Sequence, residues 1–357
     1  MEKELLKGNI AIARAALNCG CNCYFGYPIT PQTEIGEYLS SEMQKRGLAY
    51  VCAESEIAAI NMALGAASTG AKVMTSSSSC AVALMQETLS YAASDELPMV
   101  IVNVMRAGPG QGYIFPSQGD YNQATIGGGN GDYKVIVLSP TSVQECVDLT
   151  YRAFYLAQYY RNPVMLLVDG QLGQMAEPAV IGENTYDEID NSSWILTGKK
   201  DRDSRNIHSL EPDHKKLAQH TFDLYQKYQH VEQNQALFEE YKCDDADFIL
   251  VAFGSMARSA KSIADYYRYI GFNYGVFIPK MLSPFPYSKL AEYANRGVMD
   301  FYCIEMNLGQ MFRDVRLAVG LIPRVSLIAR PAGEWLTEKE IIKTIDDIYG
   351  GRYATGV

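Results

Sequence analysis

The chain has 357 residues, 48% of them hydrophobic and 20% charged, which suits a globular protein with room for two domains. A formal net charge of −10 argues against a nucleic-acid binder. No apolar run is long enough to span a membrane, and the start Met1-Glu2-Lys3-Glu4 lacks a signal-peptide core, so a cytoplasmic protein is expected.

From Lys7 to about Val180, helical and strand patterns alternate. The periodicity predicts a helix over 10–17, a buried strand over 23–25, a helix over 33–46 and a strand over 48–53. A helix over 55–69 is closed by Gly70, and a strand over 72–75 and a helix over 81–93 follow. Strands over 98–105 and 133–138, a helix over 142–159 and a strand over 163–168 complete the set. Such alternation predicts an α/β fold, a mostly parallel sheet with helices on both faces. From 182 to 245 polar residues dominate, and an extended connector leads into an amphipathic helix over 215–241. A smaller α/β unit comes next: strand 247–252, helix 256–269, strand 273–278, helix 287–295, and strands 301–305 and 325–329. The last helix opens at Thr337 with Glu340 three residues on, a capping box. The expected division is therefore 1–181, 182–245 and 246–357.

Cysteines and histidines exclude several chemistries. Cys19, Cys21 and Cys23 fall where a helix meets a strand, a spacing that suits small packed residues better than a metal or cluster site. His208, His214, His220 and His230 all lie in one polar stretch, which leaves the strand-end loops without a Ser-His-Asp triad.

Five loops follow strands of the first unit. They carry Tyr27-Pro28-Ile29-Thr30-Pro31, Glu54-Ser55-Glu56, Ser76-Ser77-Ser78-Ser79, Arg106-Ala107-Gly108-Pro109-Gly110 and Ser139-Pro140-Thr141. In a parallel sheet they share one edge, where ligands bind. Thr30, a glutamate, the serines and Arg106 can converge there to hold an anion and a carbonyl. No base titrating near neutrality is evident among them, so a cofactor with its own reactivity is expected. Glu54 and Glu56 are equivalent by pattern, and Glu56 could be an ordinary helix-start carboxylate. Thr30 could merely bond its own turn, the serines could cap the helix at Ala81, and Arg106 could be a structural ion pair. Gly127-Gly128-Gly129-Asn130-Gly131 reads as a mobile or closely approached loop.

The sequence resembles the alpha subunits of 2-oxoacid:ferredoxin oxidoreductases, most closely the branched-chain (2-oxoisovalerate) type. The residues that carry the resemblance are G-Y-P-I-T-P-Q-T-E (26–34), A-E-S-E-I-A-A-I (53–60), P-S-Q-G-D-Y (116–121), G-G-G-N-G-D-Y (127–133), R-N-P-V (161–164), G-Q-M (173–175), V-A-F-G-S-M-A-R (251–258) and E-M-N-L-G-Q-M (305–311). It implies a thiamine diphosphate pyrimidine-binding domain followed by a transketolase C-terminal-like domain. It implies that Glu56 bonds the aminopyrimidine, with Tyr27 and Pro28 at the cofactor and Thr30 and Arg106 at the 2-oxoacid. No metal ligand is expected here: Val168-Asp169-Gly170 lacks the first glycine of the magnesium-diphosphate motif. The resemblance places that motif on a beta-type partner and iron–sulfur clusters on ferredoxin-like and gamma-type partners. The reaction implied is 2-oxoacid, coenzyme A and oxidised ferredoxin to acyl-CoA, carbon dioxide and reduced ferredoxin. Alternatives are the same reaction on 2-oxoglutarate or pyruvate, or a non-catalytic structural subunit. Relatives often have Gly-Pro-Gly where this chain has Ser78-Ser79-Cys80, and histidine where Asn130 stands.

Overall fold

The computed structural model describes residues 3–354; Met1, Glu2 and residues 355–357, including the ends of the expected domains, lie outside them. Two α/β layers share a core. In the larger sheet the strand order is Met281–Ser283, Ile136–Leu138, Pro163–Asp169, Met99–Met105, Val73–Ser77, Cys23–Gly26, Ala49–Cys52. All neighbours are parallel except Met281–Ser283, which runs antiparallel to Ile136–Leu138. The smaller sheet is ordered Arg324–Ala329, Asp300–Glu305, Phe248–Ala252, Tyr274–Pro279, Phe238–Tyr241, with only the last strand antiparallel. Glu4–Lys7 and Ala176–Ala179 form a separate antiparallel pair.

The central strands Met99–Met105 and Pro163–Asp169 are buried along their whole length, as strands covered on both faces must be. Helices Gly8–Asn18, Thr33–Lys45 and Val143–Tyr160 cover one face. On the other face Met105, Tyr121, Val137 and Met165 join Ile249, Phe253, Phe277 and Phe301 in one apolar cluster. Helix starts follow local chemistry: Ser55 Oγ accepts from the Ala58 amide and Ser142 Oγ from the Glu145 amide. The capping box forms too, with Thr337 Oγ accepting from the Glu340 amide and Glu340 from the Thr337 amide.

Several elements differ from the periodicity. The helix expected over 81–93 is two pieces, Cys80–Ala83 and Gln86–Ser94. The Leu84 and Met85 amides bond back three residues between them, a tight turn that re-aims the chain. The helix expected over 215–241 is His214–Gln235, because Phe238–Tyr241 pairs with Tyr274–Pro279 instead. The strand expected over 133–138 begins only at Ile136; the Lys134 carbonyl accepts from the Asn162 side chain. Cys23 and Phe25 are only half-buried, since their strand lies next to the exposed edge strand Ala49–Cys52. Cys19 and Cys21 pack in the core, where burial pushes the Cys21 thiol up to about 12.

Polar groups lock the two layers together. Asp169, wholly buried at the end of its strand, accepts the Leu172 amide at 3.1 Å and the Ser255 amide at 2.7 Å. Gly254 allows this approach: its φ is +56°, and a Cβ there would lie 2.6 Å from Asp169 Oδ2. Gln118 donates to the Phe253 carbonyl at 2.8 Å and accepts the Met306 amide at 3.1 Å. Asn307 donates to the Gln118 carbonyl and Gln310 to the Gly119 carbonyl. Motifs P-S-Q-G-D-Y, V-A-F-G-S-M-A-R and E-M-N-L-G-Q-M thus meet at one joint. Gln118→Leu leaves a buried carbonyl and a buried amide unpaired, so urea unfolding of the purified chain should report a loss of roughly 2–4 kcal/mol.

Candidate active site at the sheet edge

The strand Cys23–Gly26 delivers its chain into a turn held firmly from below. Gln32 Nε2 donates to the Tyr27 carbonyl, and Gln32 Oε1 accepts from Ser76 Oγ at 2.6 Å. Ser76 in turn bonds the buried Tyr24 hydroxyl at 2.7 Å. Asn9 and Gln174 both donate to the Pro31 carbonyl and to Glu34. This buttressing leaves Tyr27, Pro28 and Thr30 exposed. The Thr30 hydroxyl bonds nothing among the described residues, its own turn included; Thr33 Oγ, not Thr30, closes on the Ile29 carbonyl.

Arg106 follows the buried strand Met99–Met105 and reaches across to the turn. Its guanidinium donates to the Thr30 carbonyl at 3.1 Å, to the Gln111 carbonyl at 3.0 Å and to Gln111 Oε1 at 3.2 Å, and touches Cys80 Sγ at 3.2 Å. Its Nε is buried without an acceptor. Among the described residues it has no carboxylate in ion-pair contact, so the structural ion pair considered from the sequence does not form. The loop after it folds back on itself: the Ala107 amide bonds the Phe115 carbonyl and the Tyr113 amide the Ala107 carbonyl. The Gly108–Gly112 stretch lies within that folded-back loop.

Burial separates the two glutamates that pattern could not. Glu54 is exposed, whereas Glu56, the first residue of helix Glu56–Ser68, is 9% exposed. The Glu56 carboxylate has no hydrogen bond or ion pair among the described residues. The Ala53 amide bonds the Gly26 carbonyl at 2.9 Å and sets this loop beside the Tyr27 turn. No direct bond joins Glu56 to Thr30 or Arg106.

The other candidates divide. Ser139 and Thr141 do not join the site: Ser139 Oγ bonds the Leu167 carbonyl, and Thr141 belongs to a cluster with buried Lys280 and Glu145. Ser77 and Ser78 are buried with unpaired hydroxyls. Ser79 does not cap the following helix with its side chain; its hydroxyl donates to Asp120 at 2.6 Å and accepts the Arg106 amide at 2.9 Å. The glycine-rich loop is closely approached, with the Gly128 amide on Gln86 Oε1 and Asn130 accepting from Ser90. Asp120 and Asn103 were missed. The available signal for Asn103 is a polar residue inside the apolar run Met99–Met105.

A cleft of about 730 Å³ opens beside Thr30, lined by Thr30, Glu34, Glu37, Ile114, Pro116 and Met175 among others, with no lysine or arginine. A larger one of about 980 Å³ lies between helix His214–Gln235 and the second layer and contains none of the candidate residues. The smaller cleft shares Thr30 with the candidate site, whereas Glu56 and Arg106 do not line it.

Comparison with known proteins gives the family. The pyruvate flavodoxin/ferredoxin oxidoreductase, thiamine diphosphate-binding, model matches residues 14–247, and pyruvate:ferredoxin oxidoreductase core domain II matches 246–341. The chain belongs to the pyruvate flavodoxin/ferredoxin oxidoreductase family. The family's enzymes are thiamine diphosphate-dependent 2-oxoacid:ferredoxin oxidoreductases, so the fold class and the enzyme class expected from the motifs both hold. Ketoisovalerate oxidoreductase subunit VorB of Methanothermobacter thermautotrophicus is 44% identical, over 98% of this chain and 99% of the relative. 2-Oxoglutarate synthase subunit KorA of Archaeoglobus fulgidus is 37% identical, over 88% and 91%. A solved 2-oxoglutarate:ferredoxin oxidoreductase from Magnetococcus marinus, with 2-oxoglutarate, coenzyme A and succinyl-CoA bound, superposes with a TM-score of 0.83 at 26% identity. That match covers 97% of this chain and 65% of the Magnetococcus chain. A split-gene transketolase shares the fold alone, with a TM-score of 0.59 at 14% identity. No helix among the described residues is long and apolar enough to cross a membrane.

The turn after Arg106 depends on Gly112, whose φ is +48° and where a Cβ would lie 1.6 Å from the Ala107 carbonyl oxygen. Gly112→Ala should open the 107–115 loop, at a local cost of roughly 1–3 kcal/mol. Hydrogen exchange should then report lost protection at the Ala107 and Tyr113 amides.

Proposed function

We propose that this chain supplies the pyrimidine-binding and substrate-binding half of a 2-oxoacid:ferredoxin oxidoreductase acting on a branched-chain 2-oxoacid. The observation that carries the proposal is the unpartnered carboxylate of Glu56, a residue otherwise packed into the fold, on the same sheet edge as the Thr30–Arg106 contact. An orphaned acid of this kind fits the aminopyrimidine of thiamine diphosphate, which needs a carboxylate at ring nitrogen N1′. When bound, thiamine diphosphate supplies attack on the keto carbon and a sink for the electron pair left as carbon dioxide departs. Glu56 holds the ring and fixes which of its nitrogens carries a proton. Tyr27 and Pro28 form the stiff surface against it.

Thr30 and Arg106 serve the 2-oxoacid. The Thr30 hydroxyl is exposed and free to bond the substrate, and the guanidinium faces no competing carboxylate. Arg106 positions more than it accelerates, because the carboxylate it grips must lose its charge in the transition state. The neighbouring cleft favours an alkyl chain: Ile114, Pro116 and Met175 are apolar and Glu37 would repel a second carboxylate, while Glu34 is already paired with Lys7. That contrast, with the 44% identity to a ketoisovalerate oxidoreductase subunit, favours a branched substrate over 2-oxoglutarate.

The site is completed by partners. Val51, Ile57 and Met62 present exposed apolar surface around the Glu56 helix, as expected of a face covered by another chain. A beta-type subunit there would hold the diphosphate and its magnesium, since Asp169 is engaged by backbone amides. Iron–sulfur clusters, the route to ferredoxin and the remaining contacts to coenzyme A belong to ferredoxin-like and gamma-type chains. Such an assembly works in the cytoplasm.

In the assembled enzyme, Glu56→Ala should lower turnover by at least about a hundredfold. Full turnover would make this chain a structural subunit. A panel of 2-oxoacids with an artificial electron acceptor should rank 3-methyl-2-oxobutanoate above pyruvate and 2-oxoglutarate; the reverse order overturns the substrate assignment.

A further inference from the structure

We propose that Ser79, Asn103 and Asp120 form a positioning group that fixes Arg106 through its backbone, an inference that rests on the reading of Arg106 as the substrate-carboxylate ligand. Ser79 has φ +37° and ψ −94°, a conformation that L-residues rarely adopt and that persists only where the surroundings over-determine it. Here every polar atom of the residue is engaged. Its amide donates to Asn103 Oδ1 at 2.9 Å, and its carbonyl accepts from Gln123 at 3.2 Å. Its hydroxyl proton goes to Asp120 Oδ2 at 2.6 Å, which leaves the oxygen lone pairs to receive the Arg106 amide at 2.9 Å. Asn103 donates to the same Asp120 oxygen at 3.1 Å and closes the ring.

The cluster is expensive to bury and therefore needs a reason. Asn103 is wholly inaccessible in the middle of an apolar strand. Asp120 is partly buried, with no cation in contact among the described residues; desolvation raises its pKa, and Ser79, Asn103 and the more distant Arg106 charge pull it back. Asp120 belongs to the segment that Gln118, Asn307 and Gln310 fasten to the second layer. The second layer thereby sets the height of Asp120, Asp120 sets Ser79, and Ser79 sets the Arg106 main chain. A small displacement of that main chain is carried out along the arginine side chain to its guanidinium.

The test is steady-state kinetics of the assembled enzyme. Ser79→Ala should raise KM for the 2-oxoacid about tenfold, with a much smaller change in kcat and no change in thiamine diphosphate affinity. Ser79→Gly relieves the positive φ, so it folds without strain, and it should give the same rise. Asp120→Asn still offers one oxygen to both donors and should stay within about twofold of wild type, whereas Asp120→Ala should match Ser79→Ala. Combined with Arg106→Ala, Ser79→Ala should add nothing. Multiplicative effects, or an equal loss of cofactor affinity, would overturn the positioning role. If Arg106→Ala raises KM and the Ser79 variants do not, the positioning role alone fails. If Arg106→Ala leaves KM unchanged, the substrate assignment of Arg106 fails, and the positioning role fails with it.

Discussion

The carboxylate of Asp169 leaves the end of a central strand and accepts two amides, one opening the short helix that follows it and one at the first turn of the second layer. Burial pushes its pKa up, and the two amides offset part of that penalty. Around it Gln118 ties the 116–122 segment to the strand-end loops at Phe253 and Met306. These bonds are buried, so each lost partner would leave an unsatisfied group. The rest of the molecule depends on this joint, because it fixes the segment on which the Arg106 main chain rests.

The site itself follows the opposite logic. Glu56 and Thr30 stand at the carboxyl edge of a parallel sheet with side-chain groups unpaired among the described residues, and beside them the Arg106 guanidinium is held by the Thr30 and Gln111 oxygens. Their backbones are over-held, by Gln32 and Ser76 below the Tyr27 turn and by Ser79 behind Arg106. Main chain held this firmly needs little reorganisation on binding, which suits the shared site proposed above.

Much of this was legible from residue order. The capping box at Thr337 forms where residue order places it, and helices Met256–Tyr269 and Tyr287–Asn295 match their periodicity at both ends. The errors have a common cause. Periodicity ran the 81–93 helix through a tight turn that is stabilised by Gln86, whose side chain bonds the Val82 carbonyl and the distant Gly128 amide. It also ran the 215–241 helix into residues that a remote strand captures. Met281–Ser283, a stretch of the second unit to which the pattern assigns no element, pairs with the edge of the first sheet.

Sequence alone determined that prolines and a glycine break the chain at Tyr27–Pro31, that serines and an arginine end two neighbouring strands, and that the motifs belong to one family. These are local properties, written in torsional preference and in the period of apolar residues. Tertiary structure decided which of the two glutamates is the more buried, that Ser139 bonds a strand carbonyl while Thr141 joins a lysine cluster, and that Asp120 stands behind Arg106. Each of those facts depends on groups brought together from far apart in the chain. Burial and hydrogen-bond satisfaction exist only once the layers have packed, so no window of sequence contains them.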